Sequence, residues 1–232
     1  MSDPYRFRGG RPFMSETRYR LLSLRFILAY IVTMRPYLLF VSGAAGAVGL
    51  AFIPEPVVSR VALAFVPLFL SYGLGQALTD CFQTDTDALS APYRPLVRGV
   101  VSRTQFLWVS LIGLTVVVLI LAYLNPWILI LGFAAVIGLL TYTFFKRRWW
   151  GGPPWNSWIV ALLPMMGWMA GGTRSLASLG RFLAADSGVF LAAVLAVFFA
   201  YANFVVMGYF KDISADRKTG YNTFPVEFGW QP

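Results

Sequence analysis

The sequence predicts an all-α integral membrane protein, a helical bundle with about six transmembrane helices. Charged residues make up 12% of the 232 residues, whereas soluble globular domains carry roughly 25%. The mean hydropathy is +0.65, and several uncharged stretches reach the length of about 20 residues that a helix needs to cross a bilayer. A water-soluble enzyme is therefore not expected.

Uncharged stretches between the charged residues give the predicted spans in order. Four of these stretches account for one span each: residues 36–54, 61–79, 149–173 and 187–210. A longer stretch, residues 104–145, is about twice the length of one span. It carries Asn125 followed by Pro126 near its middle, a pair that favours a tight turn between two spans.

The N-terminal 25 residues are Arg-rich and are predicted to form a basic cytosolic arm, with the membrane domain over residues 26–232. No apolar segment with a small-residue cleavage site follows the arginines, so a cleaved signal peptide is not expected. Residues 21–32 are predicted to form an interfacial helix that leads into the first span at Arg35 and Pro36. A mitochondrial presequence would have a similar composition, but a membrane protein of the bacterial type is favoured.

The distribution of positive charge predicts the orientation. With a cytoplasmic N-terminus, all but three of the 19 Lys and Arg residues fall in cytoplasmic segments, as the positive-inside rule requires. The three exceptions are Arg60, Arg174 and Arg181. We therefore expect a bacterial inner-membrane location, with the N-terminus in the cytoplasm and with membrane lipids, not nucleic acid, as the partner of the positive charge.

The residue types present limit the chemistry. Histidine is absent, which excludes His-based zinc sites, Ser-His-Asp triads and histidine acid–base catalysis. Cys81 is the only cysteine, so an internal disulfide and a CxxC site are excluded as well. Any reaction must use carboxylates, amines, guanidiniums, hydroxyls, aromatic rings or an added metal.

An acidic cluster closes the second predicted span. If this segment is helical, Asp80, Gln83 and Asp87 share one face, because residues three, four and seven apart are neighbours on a helix. Asp85 lies off that face. Carboxylates at membrane depth are costly and usually face the bundle interior or a wet cavity, so this face is expected to point inwards.

A second acidic cluster closes the sixth span, where Asp212 and Asp216 lie four residues apart. In the predicted orientation both clusters, and with them both acidic motifs, lie at the cytoplasmic surface. Mg²⁺ in proteins takes one or two carboxylates and completes its shell with substrate phosphates. Two facing acidic stripes therefore predict a Mg²⁺ site that binds a diphosphate and helps it leave.

Basic residues border the same surface and are candidate diphosphate ligands. Arginine binds phosphate oxygens bidentately and lysine supplies a point charge. The candidates are Arg94, Arg98, Lys146, Arg147 and Lys211.

The two clusters resemble the paired signatures of the UbiA superfamily of intramembrane prenyltransferases. Asp80 and Asp87 match carboxylates of the first signature, and Asp212 and Asp216 match carboxylates of the second. The resemblance covers the chain from about Arg35 onwards. Further residues that carry it are Pro92, Tyr93, Arg94, Pro95, Phe210, Lys211, Arg217, Lys218, Thr219 and Gly220, with Arg35, Pro36 and the run from Tyr142 to Arg147 as additional family-like features.

The resemblance implies a bundle that opens laterally to lipid and transfers an isoprenyl group from a prenyl diphosphate to a lipophilic acceptor with Mg²⁺. The implied metal ligands are Asp80, Gln83, Asp87, Asp212 and Asp216, and the four aspartates are the implied catalytic residues. The acceptor stays open between a quinone precursor or other aromatic, a tetrapyrrole, a carotenoid and a glycerol lipid. Chlorophyll-synthase relatives are one candidate branch.

The chain departs from the family pattern at three positions. Thr79 stands where the first signature has Asn and Gln83 where it has Asp, while Tyr209 stands where many members have Asp in the second. Family members usually have nine spans, so six predicted spans imply a chain that is incomplete on its C-terminal side relative to the family. The alternative interpretation is a non-catalytic UbiA-like subunit of a larger membrane complex, with a membrane protein partner covering the incomplete side.

Overall fold

A computed structural model describes residues 18–171 and 187–229, and these two ranges contain helices but no strands. An all-α fold was predicted, and it is confirmed. The helices are α1 (Leu24–Met34), α2 (Leu39–Ala51), α3 (Val58–Asp80), α4 (Thr84–Ser90), α5 (Arg103–Leu124), α6 (Ile128–Lys146), α7 (Gly152–Gly171), α8 (Ser187–Phe210), α9 (Ile213–Thr219) and α10 (Phe224–Phe228), with a short 3₁₀ turn at Pro36–Leu38.

Within the described ranges, five helical segments are long and apolar enough to cross a membrane, where six were predicted. The five are Leu24–Ala51, Val58–Asp80, Arg103–Leu124, Ile128–Lys146 and Gly188–Phe210. The remaining predicted span, which was expected within residues 149–173, is present as α7, a helix of 20 residues. Its three prolines, three tryptophans and Asn156 lower its hydropathy. This helix lies inside the bundle, where it packs mainly against α2, α6 and α8.

The interfacial helix expected over residues 21–32 forms as α1, but it packs into the bundle. The Tyr30 hydroxyl hydrogen-bonds the Ser110 hydroxyl of α5 at 2.8 Å. The Phe106 ring meets the rings of Phe26 and Tyr30 edge-on, with centroids 5.5 and 5.1 Å apart. At Arg35 the chain adopts a left-handed conformation with φ 53°, and this bend separates α1 from α2 within one candidate span.

The turn predicted at Asn125 and Pro126 separates α5 from α6, as expected. Asn125 is fully buried. Its side-chain oxygen accepts from the Trp127 amide, and its amide nitrogen donates to the Met169 carbonyl, both at 3.1 Å. Arg60 donates to the carbonyls of Leu124 and Ala170 at 3.1 Å each. These bonds satisfy carbonyls at the last turns of α5 and α7, which have no partner within their own helices.

Glycines allow α2 and α7 to approach closely, as small residues do at helix contacts in membranes. A Cβ added at Gly49 would lie 1.9 Å from the Pro164 carbonyl oxygen and 2.8 Å from the Trp168 backbone nitrogen. We expect Gly49→Ala to destabilise the fold by about 3 kcal/mol, the upper part of the range for overpacked cores, because backbone atoms cannot rotate away.

The measurement is thermal unfolding in detergent, with Gly188→Ala as the matched control. A Cβ at Gly188 meets nothing within 4 Å, so this variant should unfold with the wild type. Equal unfolding midpoints for both variants would show that α2 and α7 can separate at little cost.

Candidate active site

Both acidic clusters lie where a long helix ends. α3 ends at Asp80 and α4 begins at Thr84, so the prediction of one continuous helical face for the first cluster was wrong. The amides of Cys81 and Phe82 bond carbonyls three residues back, at Leu78 and Thr79, which tightens the last turn and ends the helix. α8 likewise ends before the second cluster, and Asp212 occupies the N-cap position of α9 without a side-chain capping bond.

A cavity of about 210 Å³ opens beside these helix ends. Its polar lining comes from the ends of α3, α6 and α8 and from the segments that follow them. Its apolar lining comes from further along α5, α6 and α7 and includes Leu114, Leu121, Ala135, Leu139, Ile159 and Met166. The cavity therefore suits an amphiphile with a charged head and an apolar tail. Seven of the ten predicted site residues line it: Asp80, Gln83, Asp87, Arg94, Lys146, Lys211 and Asp212.

Asp80 is buried and receives several donors. One Arg35 Nη atom donates to both carboxylate oxygens, at 3.0 and 3.2 Å, and Gln76 Nε2 donates to Oδ1 at 2.7 Å. Arg94 Nη1 lies 3.6 Å from the same oxygen. These donors satisfy a carboxylate that would otherwise be costly to bury.

Arg94 joins the two carboxylates of the first cluster, because it also forms an ion pair with Asp87. Burial and the neighbouring charge of Asp80 raise the pKa of Asp87 to about 6, while the positive charge of Arg94 acts in the opposite direction. Asp80 and Asp87 therefore face one site although a helix break separates them.

In the second cluster, Asp216 is completely buried. Thr223 Oγ1 donates to Asp216 Oδ2 at 3.2 Å, and Lys146 Nζ lies 3.7 Å from Asp216 Oδ1. Among the described residues no group hydrogen-bonds Oδ1. Burial raises the pKa of Asp216, and the Lys146 charge opposes that shift. Asp216 does not line the cavity itself but lies behind Lys146.

Lys146 connects the two clusters. Its Nζ donates to Gln83 Oε1 of the first cluster at 3.0 Å and faces Asp216 of the second. The rings of Tyr209 and Tyr221 lie 5.4 and 5.2 Å from the ammonium, within the range of cation–π attraction. A lysine that is 4% exposed is rare unless it is paired, and these contacts hold its charge at the cavity wall.

Two of the predicted diphosphate ligands lie elsewhere. Arg147 is half exposed, and its Nη2 atom lies 3.4 Å from Asp85 Oδ2. Arg98 is exposed in the segment that follows α4. Neither side chain is among the described residues that line the cavity. Asp85 is also absent from the described lining of the cavity, and it contacts Arg147 and Tyr221.

Three residues at the site were not among the predicted ligands. Arg35 and Gln76 both bind Asp80, and Tyr209 was considered only as a departure from the family signature. The Tyr209 hydroxyl hydrogen-bonds the Tyr142 hydroxyl at 2.8 Å, and both rings are buried in the cavity wall. The Arg35–Pro36 pair was a family-like feature of the sequence, but nothing in its spacing indicated a contact with Asp80.

The donor set suits a hard divalent cation. Carboxylate and amide oxygens lie around the cavity, and Asp216 Oδ1 is a buried oxygen that accepts no hydrogen bond within the part of the chain that the structure describes. The described residues contain no group of three or more acidic or thiol side chains close enough to form a metal site by themselves. This arrangement fits Mg²⁺, which is usually held by one or two carboxylates with substrate phosphates completing its shell.

These features define a helical integral membrane protein with a charged cavity at the ends of its helices and an apolar extension between them. Residues 38–232 match the UbiA prenyltransferase family, and the chain belongs to that family. The sequence resemblance is thereby confirmed.

The most similar curated relatives include archaeal lipid synthases. The digeranylgeranylglyceryl phosphate synthase of Natronomonas pharaonis is 33% identical over 192 residues, which cover 80% of this chain and 65% of that protein. That of Thermococcus kodakarensis is 24% identical over 205 residues, 87% of this chain and 69% of that protein. Chloroplastic chlorophyll synthase of Arabidopsis thaliana is 26% identical over 204 residues, 82% of this chain and 49% of that protein. The chain thus spans about two thirds of the length of the archaeal synthases.

Solved structures of the family share the fold. A UbiA homolog from Archaeoglobus fulgidus, bound to DMAPP and Mg²⁺, has a TM-score of 0.69 at 20% identity, covering 87% of this chain and 69% of that one. A structure of digeranylgeranylglyceryl phosphate synthase has a TM-score of 0.66 at 18% identity, covering 89% and 70%. At these identities the comparison confirms the helical fold.

Proposed function

We propose that this protein transfers an isoprenyl group from a prenyl diphosphate to a lipophilic acceptor within the membrane. The observation that carries the proposal is the Lys146 ammonium, which is held at the cavity wall between Gln83 of the first acidic cluster and Asp216 of the second. Arg94 holds Asp80 and Asp87 in the same way. These two basic groups with their carboxylate and amide partners, beside an apolar extension, fit the head and the tail of a prenyl diphosphate.

The residues of the cavity have distinct roles in this reaction. The bond between the allylic carbon and the diphosphate oxygen breaks, and its electron pair leaves with the diphosphate. Lys146 and Arg94 stabilise that developing negative charge, and such positioned charges are usually the largest contribution to catalysis. The buried rings of Tyr142 and Tyr209 offer π faces to the allylic cation. The apolar wall excludes water, which would otherwise capture the cation.

Mg²⁺ is the proposed cofactor, and Asp80, Gln83, Asp87, Asp212 and Asp216 are its proposed protein ligands. The metal would neutralise the charge of the diphosphate and so assist its departure. Support comes from the carboxylate and amide oxygens around the cavity and from Asp216 Oδ1, which accepts no hydrogen bond from any described residue. The A. fulgidus homolog that shares this fold is bound to DMAPP and Mg²⁺.

The names of the relatives favour a glyceryl phosphate lipid as acceptor, because several archaeal relatives are digeranylgeranylglyceryl phosphate synthases. A tetrapyrrole is the competing acceptor class, since chlorophyll synthase is also a relative. A quinone precursor and a carotenoid complete the set to be assayed. Folded protein that binds prenyl diphosphate but transfers the prenyl group to none of these acceptors would favour a non-catalytic subunit with a membrane partner.

The first experiment measures binding of DMAPP to purified protein in detergent by titration calorimetry. We expect binding with Mg²⁺ present and at least tenfold weaker binding after chelation, because the carboxylates repel a diphosphate whose charge the metal does not neutralise. Inorganic phosphate with Mg²⁺ serves as the ligand control. Equal affinity with and without the metal would contradict the proposed Mg²⁺ site.

We further propose that the N-terminus and both acidic clusters face the cytoplasm, in an inner membrane of the bacterial type. The positive residues near α4, α6 and α9 support this orientation under the positive-inside rule. α3 is a candidate span and separates Glu55 from the acidic clusters. A membrane-impermeant maleimide should label Glu55→Cys in right-side-out vesicles and Lys218→Cys in inverted vesicles. Labelling of both from one side would overturn the orientation.

A further inference from the structure

Five residues join the segments that follow the two acidic clusters, on the outer side of the cavity wall. We call Asp85, Thr86, Arg147, Thr219 and Tyr221 the outer clamp. α4 provides the first two residues, the end of α6 provides Arg147, and α9 with the turn after it provides the last two. None of these side chains has a role in the proposed reaction.

Arg147 and Tyr221 bind Asp85 together. Arg147 Nη2 lies 3.4 Å from Asp85 Oδ2, and the Tyr221 hydroxyl donates to Asp85 Oδ1 at 3.2 Å. The guanidinium of Arg147 also lies over the Tyr221 ring, 4.7 Å from its centroid. The ring is almost completely buried, at 1% exposure, so its position is fixed by packing, and it supports both charged groups.

Two further bonds close the clamp. The hydroxyls of Thr86 and Thr219 are 3.1 Å apart and join α4 directly to α9. The backbone amide of Asn222 donates to the backbone carbonyl of Arg147 at 3.1 Å, which ties the turn after α9 to the end of α6. Helices of seven residues such as α4 and α9 are too short to be stable alone, so their placement depends on contacts of this kind.

The outer clamp connects to one carboxylate of each acidic cluster, Asp87 and Asp216. Asp87 lies two residues beyond Asp85 on α4. On the other side, the Tyr221 amide donates to the Asp216 carbonyl at 2.8 Å, and Thr223 donates to the Asp216 carboxylate. A displacement of α4 relative to α9 would therefore change the separation of Asp87 and Asp216.

We propose that Arg147 is a positioning residue, which acts through Asp85 and Tyr221 to hold α4 and α9 at the separation at which the two acidic clusters bind one metal–diphosphate together. This inference rests on the proposed function of the cavity. It differs from the prediction that Arg147 binds the diphosphate directly, because the side chain points to Asp85 and is not among the described residues that line the cavity.

The test measures binding of pyrophosphate in the presence of Mg²⁺ by titration calorimetry on the full chain in detergent. Arg147→Met should weaken binding by about tenfold, the lower end of the effect of losing a residue that orients metal ligands. Asp85→Asn should weaken it by a similar factor. The double variant should be no worse than either single variant, because both changes break the same contact. Arg148→Met is the matched control, since Arg148 lies over the Phe144 ring, and its affinity should equal that of the wild type.

A reversible cross-link distinguishes positioning from direct contact. Cysteines in place of Thr86 and Thr219 would bring two sulfur atoms near bonding distance, in a background that carries Cys81→Ala. Oxidised glutathione converts the two thiols to a disulfide and is reduced to two molecules of glutathione. Combined with Arg147→Met, the disulfide should restore pyrophosphate affinity to within about twofold of that of the cross-linked protein with Arg147 intact, and reduction should remove the gain.

The outcomes separate the proposals. Arg147→Met protein that stays weak when cross-linked, or losses that multiply in the Arg147→Met and Asp85→Asn double variant, would show that Arg147 contacts the diphosphate. Unchanged affinity in Arg147→Met would show that the outer clamp does not position the site. If the cysteine variants do not fold, the double variant still decides between these results. Failure of the wild-type protein to bind Mg²⁺-pyrophosphate would instead refute the proposed function.

Discussion

Replacement of Asp216 with asparagine is expected to lower prenyl transfer by about 10³-fold, or about 4 kcal/mol of transition-state stabilisation. The carboxylate is completely buried, and among the described residues its Oδ1 atom accepts no hydrogen bond, which leaves this oxygen available to a metal. Asparagine preserves the volume and still accepts the Thr223 hydrogen bond, but it removes the charge that a divalent cation requires. The measurements are the initial rate of transfer and the Mg²⁺-dependent affinity for DMAPP.

Two carboxylates with different surroundings serve as comparisons for Asp216→Asn. Glu55→Gln changes an exposed carboxylate on the opposite side of the bundle and should leave the rate unchanged. Asp85→Asn should give an intermediate loss of about tenfold, because Asp85 belongs to the outer clamp and not to the cavity. Thermal unfolding in detergent shows whether each variant is folded. Equal losses from all three substitutions would contradict the assignment of distinct roles to these carboxylates.

The second large effect is expected for Lys146→Met, which should lower kcat by 10²–10³-fold, about the loss seen when one charge-stabilising group is deleted. Methionine keeps much of the length of lysine but provides no charge for the departing diphosphate. It also leaves Asp216 buried without its nearest cation, so the substitution is expected to destabilise the protein as well.

A double variant separates these two consequences of removing Lys146. Lys146→Met combined with Asp216→Asn removes both charges, so stability measured by thermal unfolding should recover while the rate of transfer stays low. Lys218→Met is the matched control, because Lys218 is exposed on α9, and its kcat should equal that of the wild type. A wild-type kcat in Lys146→Met would exclude Lys146 from stabilising the leaving group.

Much of the fold could be predicted because bilayer thickness imposes a length on each span. The uncharged stretches located the long helices, and the buried Asn125 confirms the turn between α5 and α6. The count of spans was less secure. α7 is flanked by charged residues at the right spacing, but its polar and proline residues are accommodated by neighbouring helices, and sequence periodicity does not report such contacts.

Both acidic clusters follow the ends of long helices, as the sequence indicated, whereas the helix breaks beside them were not predicted. The segment from Cys81 to Gln83 contains neither Gly nor Pro, so local propensity favours a continuous helix. The chain nevertheless turns there, and the turn brings Gln83 to Lys146, which lies 63 positions away in sequence. For the same reason Arg35 was overlooked as a partner of Asp80, and Arg147 was assigned to the cavity although it points to Asp85. Long-range side-chain contacts decide these details.

The central position of α7 has a consequence for how the protein enters the membrane during synthesis. A segment is released into the bilayer according to its own apolar character, and among the described helices of 18 residues or more, α7 is the one that is not a candidate span. Its prolines, Asn156 and Ser157 become acceptable only when α2, α6 and α8 surround them. We therefore expect insertion of α7 to depend on helices made before and after it, with α7 retained by the translocation machinery until α8 has been translated.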